Sequence, residues 1–305
     1  MSLHWRLVLP IALFSTCIIS FAVIFLECPS LLHPLFAAPI NNDHKFQSSN
    51  ALHVYIPGAG FSGFFYTLGR LHSLQNRNNV TSNPIDNEYY CFSAGCLALV
   101  ATLMDVPLHS VVEMALGARE GWRRGEIGRY DVVNDFVDRL LDETRSCNER
   151  THQSSSHDVI HSFVNTNATK QYPHKIHHYL PKIKIITSAW NKHNPTITQR
   201  IRTPSSLIEL KEMLLQTTWI PFITGPTLGK FDAFGEYHND GGFAALIYGW
   251  KYLFGYADSD VTTGRTRHAL KLPWDVELMF HGLNIALDKE KAVHFWNRGI
   301  LHGIA

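Results

Sequence analysis

Apolar residues recur along this chain with two periods, and the switches between them mark out its elements. Residues 52–56 alternate in the manner of a strand that Pro57 ends, and residues 64–74 carry the spacing of an amphipathic helix. Tyr89, Tyr90, Cys91 and Phe92 form a short aromatic-rich run fit for a buried strand, and good helix formers follow over 94–104. Further helical faces occur at 107–119, with Val111, Val112, Met114, Ala115 and Leu116, and at 131–144, with Val132, Val133, Phe136, Val137, Leu140 and Leu141. Residues 145–174 are polar and rich in Ser, Asn and His, and read as a long surface excursion. Order resumes with a strand at 183–187, a helix at 205–215 capped by Ser205 or Ser206, and helices at 276–287 and 292–301. Strands interleaved with helices over 51–305 predict one α/β domain, long enough to bury a sizeable core.

The first fifty residues follow another pattern. Residues 7–26 carry no charge, and twenty helical residues span roughly 30 Å, the thickness of a bilayer's hydrocarbon core. The run is long for a secretory signal, and a cut after Ala37 or Ala38 would place Leu35 or Phe36 where a small residue is wanted. This favours a retained transmembrane anchor at 1–28 over a cleaved peptide. Arg6 precedes the run while Glu27 and Asp43 follow it, so the positive-inside rule puts the domain on the far side of the membrane. The expected location is the endomembrane system, at the endoplasmic reticulum or a lipid droplet, or outside the cell if the segment is cleaved. Residues 29–50 connect anchor to domain, and N-x-T triplets at Asn79 and Asn167 would be open to glycosylation.

Composition removes other classes. A formal net charge of +1 with 17% charged residues lacks the basic stripe of a nucleic-acid binder. The five cysteines show no metal spacing, and an odd number with two beside one serine predicts no structural disulfide. His157 and His161 lie four apart without a third ligand, so no metal site is expected.

Three stretches carry chemistry. Ser93 falls where the strand at 89–92 becomes the helix at 94–104, the place where a nucleophile elbow puts its serine. That sharp turn needs small residues two positions either side; Gly95 meets the need and Cys91 meets it less well. Serine also begins ordinary buried helices, so this stretch alone leaves both readings open. The second is Gly58-Ala59-Gly60-Phe61-Ser62-Gly63, between strand and helix. Such a loop aims backbone N–H groups at an anion, either a dinucleotide pyrophosphate or the oxyanion of an acyl-transfer intermediate. A dinucleotide fold wants an acidic residue near the end of the next strand; here that end is Cys91-Phe92-Ser93, so the hydrolase reading gains and no cofactor is expected. The third is Asp240-Gly241-Gly242, a carboxylate on a turn where the backbone passes close to another element, although a hairpin turn uses the same residues.

These signals, in this order, resemble the patatin-like acyl hydrolases over about residues 52–245. With Tyr66 and Gly69 after the glycine loop and Trp219-Ile220-Pro221-Phe222 before the aspartate, the chain is most similar to the branch containing adipose triglyceride lipase. The resemblance implies a three-layer α/β/α fold around a mostly parallel sheet. It implies that Ser93 is the nucleophile and Asp240 its base, that N–H groups of Gly58, Ala59 and Gly60 hold the oxyanion, and that Gly63, Gly95, Gly241 and Gly242 are the motif glycines. The implied substrate is a triacylglycerol or phospholipid met at a membrane or lipid-droplet surface and cleaved in lipid catabolism, with neither metal nor cofactor. An aspartate near its usual pKa of about 4 is a poor base, so the site must favour the neutral form, and Phe234 and Phe243 offer apolar surroundings. Cys91 departs from the family's glycine, and its thiol must fit against the elbow helix. The alternative is a lipid-binding or scaffold protein that keeps the fold while Cys91 spoils the elbow. A triad through His238 is disfavoured, because a histidine two residues before Asp240 shares its face without being positioned by it.

Overall fold

The computed structural model describes residues 53–58, 60–77, 87–153, 175–190, 197–243, 267–269, 276–282 and 287–304. The anchor, the linker, both glycosylation triplets, Ala59, His157 and His161 lie outside the described residues. Among the described residues no helix is long and apolar enough to cross a membrane.

Strand β1 (His53–Ile56) leads through Pro57 and Gly58 into helix α1 (Gly60–Arg77). The helix starts on the glycine, earlier than its apolar spacing predicts, because Gly60 takes φ +64° and turns the chain directly from strand to helix. β2 (Glu88–Cys91) is followed by α2 (Ala94–Leu103), every residue of which is buried. Next come α3 (Leu108–Arg123) and α4 (Val132–Gln153). Residues 145–153 are therefore helix, not surface excursion, since a formed helix extends at the cost of one ordered residue per hydrogen bond. β3 (Ile183–Trp190), β4 (Thr198–Arg202) and α5 (Leu207–Thr217) follow. Ser206 caps α5, accepting the Glu209 N–H at 3.2 Å, while the Glu209 carboxylate accepts from the Ser205 N–H and hydroxyl. β5 (Lys230–Phe231), β6 (Tyr237–Asp240), β7 (Arg267–Ala269), α6 (Val276–Gly282) and α7 (Lys289–Ile304) complete the order. Of the helix predicted at 276–287, α6 covers 276–282, and 283–286 lie outside the described residues.

The strands form one open, mixed sheet in the order β5-β6-β3-β2-β1-β7, with β4 also paired to β3. Its centre is parallel: β1 with β2 and β7, and β2 with β3. β4 and β6 run antiparallel to β3, and β5 to β6. Strand alternation sorts the side chains. Val54, Ile56, Tyr89, Cys91, Ile183 and Ile185 face the main core, which they share with Phe64 of α1, Leu97 of α2, Phe136 of α4, Leu210 of α5 and Phe295 of α7. Tyr55, Tyr90, Phe92 and Ile186 form a smaller cluster on the other face, with the two tyrosine rings stacked at 4.7 Å. Each large side chain buried this way stabilises the fold by about 1.5–3 kcal/mol relative to exposure. In α7, Phe295 and Trp296 are buried in the core.

Register decides what the strand ends bring together. Cys91 is opposite Ile185 across the β2–β3 pair, so Ser93, two residues on, comes level with Thr187. Thr187 is in turn opposite Asp240 across the β3–β6 pair. The Gly58 loop leaves β1 alongside, for Ile56 is opposite Cys91 and its carbonyl accepts the Phe92 N–H at 3.3 Å. Three motifs separated along the chain thus meet at one edge of the sheet, beyond the carboxyl ends of its parallel strands, where open α/β sheets bind ligands.

Candidate active site

Ser93 has φ 53° and ψ −141°, a conformation that costs a non-glycine residue on the order of 1–3 kcal/mol. A serine that merely caps a helix has extended backbone and accepts an N–H from the first turn. Ser93 has neither property: its side chain makes no cap hydrogen bond to α2, and it lies beside the Asp240 carboxylate, whose pKa it pulls down. The elbow is closely packed. A Cβ on Gly95 would lie 2.5 Å from the Pro57 carbonyl oxygen and 2.7 Å from that of Ile56, so only glycine fits there.

Cys91 corrects the expectation of no structural disulfide. It is bonded to Cys96 across the elbow, with Cα atoms 5.0 Å apart, and both residues are fully buried. Counting cysteines missed the pair because the sharp strand-to-helix turn, and no spacing rule, folds residue 96 back onto residue 91. The space expected to hold a thiol pressed against the helix holds a covalent link to it.

Asp240 ends β6, and the chain becomes helical at 241–243, so Asp240-Gly241 is a strand-to-helix junction and not a hairpin turn. The carboxylate is buried, with 6% exposure, and accepts the Gly242 N–H at 2.7 Å. Burial raises its pKa from 3.8 to about 6, against the opposing pull of the hydrogen bonds from Ser93 and Gly242. The expectation for Phe234 fails: it is 88% exposed in the turn between β5 and β6, and Phe243 is half-buried. The apolar wall comes from Phe92, whose Cβ lies 2.6 Å from where a Gly241 Cβ would stand and whose ring lies 3.5 Å from the same point on Gly242.

The glycine loop reaches the serine. A Cβ on Gly58 would lie 2.8 Å from the Phe92 carbonyl oxygen and 3.0 Å from Ser93 Oγ, so the backbone passes the serine at a distance no side chain permits. Gly63 is buried inside α1. Gly60 and Ser93 both line an apolar cavity that is partly open to solvent. Its other walls include Phe61, Phe64, Leu97 and Phe136, and among the described residues Ser93, Thr218 and Thr224 bring polar side chains to it.

His238 is not part of this site. Its Nδ1 pairs with Thr187 Oγ1 at 3.0 Å and its Nε2 with Asp232 Oδ2 at 2.8 Å, so both ring nitrogens are engaged away from Ser93. Burial, then the positive charge of Arg202, lowers its pKa. Asp232, Glu236 and His238 bring ligand-type atoms within 4.8 Å of one another, but arginines already supply the positive charge: Arg200 pairs with Glu236 at 2.6 Å and Arg202 with Asp232 at 3.7 Å.

Sequence reasoning missed the residues that hold Ser93 and Asp240 in place. The Ser93 N–H donates to Thr217 Oγ1 at 2.9 Å, and the Asp240 N–H donates to the Trp219 carbonyl at 2.9 Å. The only signal was their place in the Thr217-to-Phe222 stretch before the aspartate. The chain matches no family model, and no curated protein matches it.

Proposed function

We propose that the protein is a lipid acyl hydrolase, a serine carboxylic ester hydrolase of the patatin-like type acting on fatty acyl esters of triacylglycerol or phospholipid. The observation that carries this reading is a serine held at positive φ beside a buried carboxylate and opening onto an apolar cavity. Ser93 Oγ attacks the ester carbonyl while Asp240 accepts its proton. The negative charge on the former carbonyl oxygen is held by N–H groups of the Gly58, Ala59 and Gly60 loop, at the positive end of α1. Collapse of the tetrahedral intermediate expels the alcohol, which takes the proton from Asp240 and leaves an acyl-serine. Water then gives a proton to Asp240 and attacks the acyl carbon, and the fatty acid departs as Ser93 recovers the proton. A carboxylate titrating near 6 suits this task better than an ordinary aspartate, because it accepts a proton more readily and is still ionised at neutral pH.

A second helical layer over the Tyr55, Tyr90, Phe92 and Ile186 face, giving the three-layer α/β/α arrangement, belongs to the same proposal. So does the location. Structural disulfides persist in oxidising compartments, and the Cys91–Cys96 bond supports a domain on the far side of the membrane from the cytoplasm.

The test is labelling of the detergent-solubilised full chain with a fluorophosphonate, with the labelled residue located by mass spectrometry. Label on Ser93 that Ser93→Ala abolishes and Asp240→Asn reduces at least a hundredfold is the expected result. No label on a folded chain would refute the hydrolase and favour the lipid-binding or scaffold alternative.

A further inference from the structure

Ser93 and Asp240 are tied to the same three residues. β2 ends at Cys91, and the positive φ of Ser93 turns its N–H out of both the sheet and helix α2. A buried N–H needs a partner, and this one has Thr217 Oγ1 at 2.9 Å. The Thr217 hydroxyl has a single hydrogen, which it donates to the Ile186 carbonyl at 2.7 Å, so its lone pairs are fixed toward Ser93. Two residues on, the Trp219 carbonyl accepts the Asp240 N–H at 2.9 Å, while the Asp240 carbonyl accepts the Ser188 hydroxyl at 2.8 Å.

We propose that Thr217 is the positioning residue of the dyad, its hydroxyl locking Ser93 at positive φ and the turn through Trp219 setting the serine in register with Asp240. The proposal rests on the hydrolase reading. Strained backbone persists only where its surroundings over-determine it, and Thr217 is a fully buried, β-branched residue with few rotamers to lose. The turn is itself held: Thr218 Oγ1 donates to the Leu214 carbonyl at 2.7 Å, and Thr224 Oγ1 donates to the Thr218 carbonyl and accepts the Ile220 N–H, each at 2.6 Å. One consequence concerns the oxyanion. The Ser93 N–H is taken by Thr217, so that charge falls to other backbone N–H groups, those of the glycine loop among them.

The experiment compares Thr217→Val, Thr217→Ala and Thr217→Ser in the full chain. Readouts are kcat and KM on a short-chain p-nitrophenyl ester, the rate of fluorophosphonate labelling, and thermal unfolding. Thr102→Val is the control for losing a buried hydroxyl elsewhere, since Thr102 Oγ1 donates to the Ala98 carbonyl at 2.7 Å. Thr217→Val should lower kcat and the labelling rate by about 10- to 100-fold, as expected when reacting atoms are misplaced, with KM within about twofold. Thr217→Ser should restore kcat to within about threefold, and Thr102→Val should leave it unchanged despite a lower Tm. If Thr217→Val fails to fold, Thr217→Ala carries the test, because a water can replace the missing oxygen; its kcat should still fall while Thr217→Ser rescues it. A folded Thr217→Val or Thr217→Ala with wild-type kcat, or a serine variant as slow as the valine one, would overturn the positioning role. A wild type that neither turns over ester nor labels at Ser93 would instead refute the hydrolase reading, and the positioning role with it.

Discussion

Asp240→Asn should abolish activity and make the protein more stable. Burial holds the Asp240 carboxyl at about 6, against 3.8 in the unfolded chain. The folded state therefore binds this proton more tightly than the unfolded state does. The corresponding stability is fully present below pH 3.8 and is lost as pH rises through about 6. At 1.36 kcal/mol per unit, an ionised Asp240 costs the fold about 3 kcal/mol at pH 8 relative to a neutral group of the same shape. At pH 5, where the folded carboxyl is already mostly protonated, the cost is about 1.6 kcal/mol. Asparagine is that neutral group, and its oxygen can still accept the Gly242 N–H. Its amide adds buried donors that need acceptors, which reduces the gain to about 1–3 kcal/mol. In a domain of this size that is about 3–8 °C in Tm. Thermal unfolding of wild type and Asp240→Asn at pH 8 and pH 5, beside kcat on a short-chain ester, measures both sides. A variant less stable than wild type at pH 8, or a gain that does not shrink at pH 5, would refute the reasoning that Asp240 is a strained, desolvated base.

Three further outcomes follow from the same geometry. The kcat/KM of the wild type should rise with pH through about 6 and level off above it, because the base form is the ionised one; a profile already flat at pH 4.5 would contradict the raised pKa. Replacing Cys91 and Cys96 together by alanine opens a six-residue loop, removing about 2 kcal/mol of stability on the chain-entropy estimate. Labelling of Ser93 should stay within tenfold of wild type, and alkylation with and without reduction, read by mass spectrometry, should find both native thiols blocked. Gly58→Ala drives a methyl into the Phe92 carbonyl and Ser93, and should cut labelling by about a hundredfold or more with the fold intact by circular dichroism.

What the sequence made legible, and what it hid, follows from the range of each interaction. β1, β2, α2 and α5 were readable because a local period or a cap defines them, as the Ser206 cap does for α5. β4 and β5 were not, since their half-buried and exposed positions show no apolar alternation to find. The three motifs could each be read in isolation, but their meeting could not. It depends on β3, whose Ile185 and Thr187 serve as common neighbours to Cys91 and Asp240, a relation written in register and not in spacing. Thr217 was hidden for a similar reason, because a threonine at a helix end has many ordinary uses and its hydroxyl acquires a role only through two residues far along the chain.

Cys91 shows how a local departure from a pattern can be answered from outside it. Glycine at that place in an elbow keeps bulk away from the helix, and a free thiol there would press the helix outward. The two sulfurs of a disulfide lie about 2 Å apart, well inside the contact distance of two thiols. Bonding therefore removes the crowding that two separate side chains would cause, and ties the end of β2 to the start of α2 on either side of Ser93. The elbow is closed by a bond where the pattern closes it by absence of a side chain. The expectation that Cys91 spoils the elbow came from counting the atoms of residue 91 without its partner; beside the bridge the serine keeps its positive φ, its place next to Asp240 and its N–H anchor on Thr217.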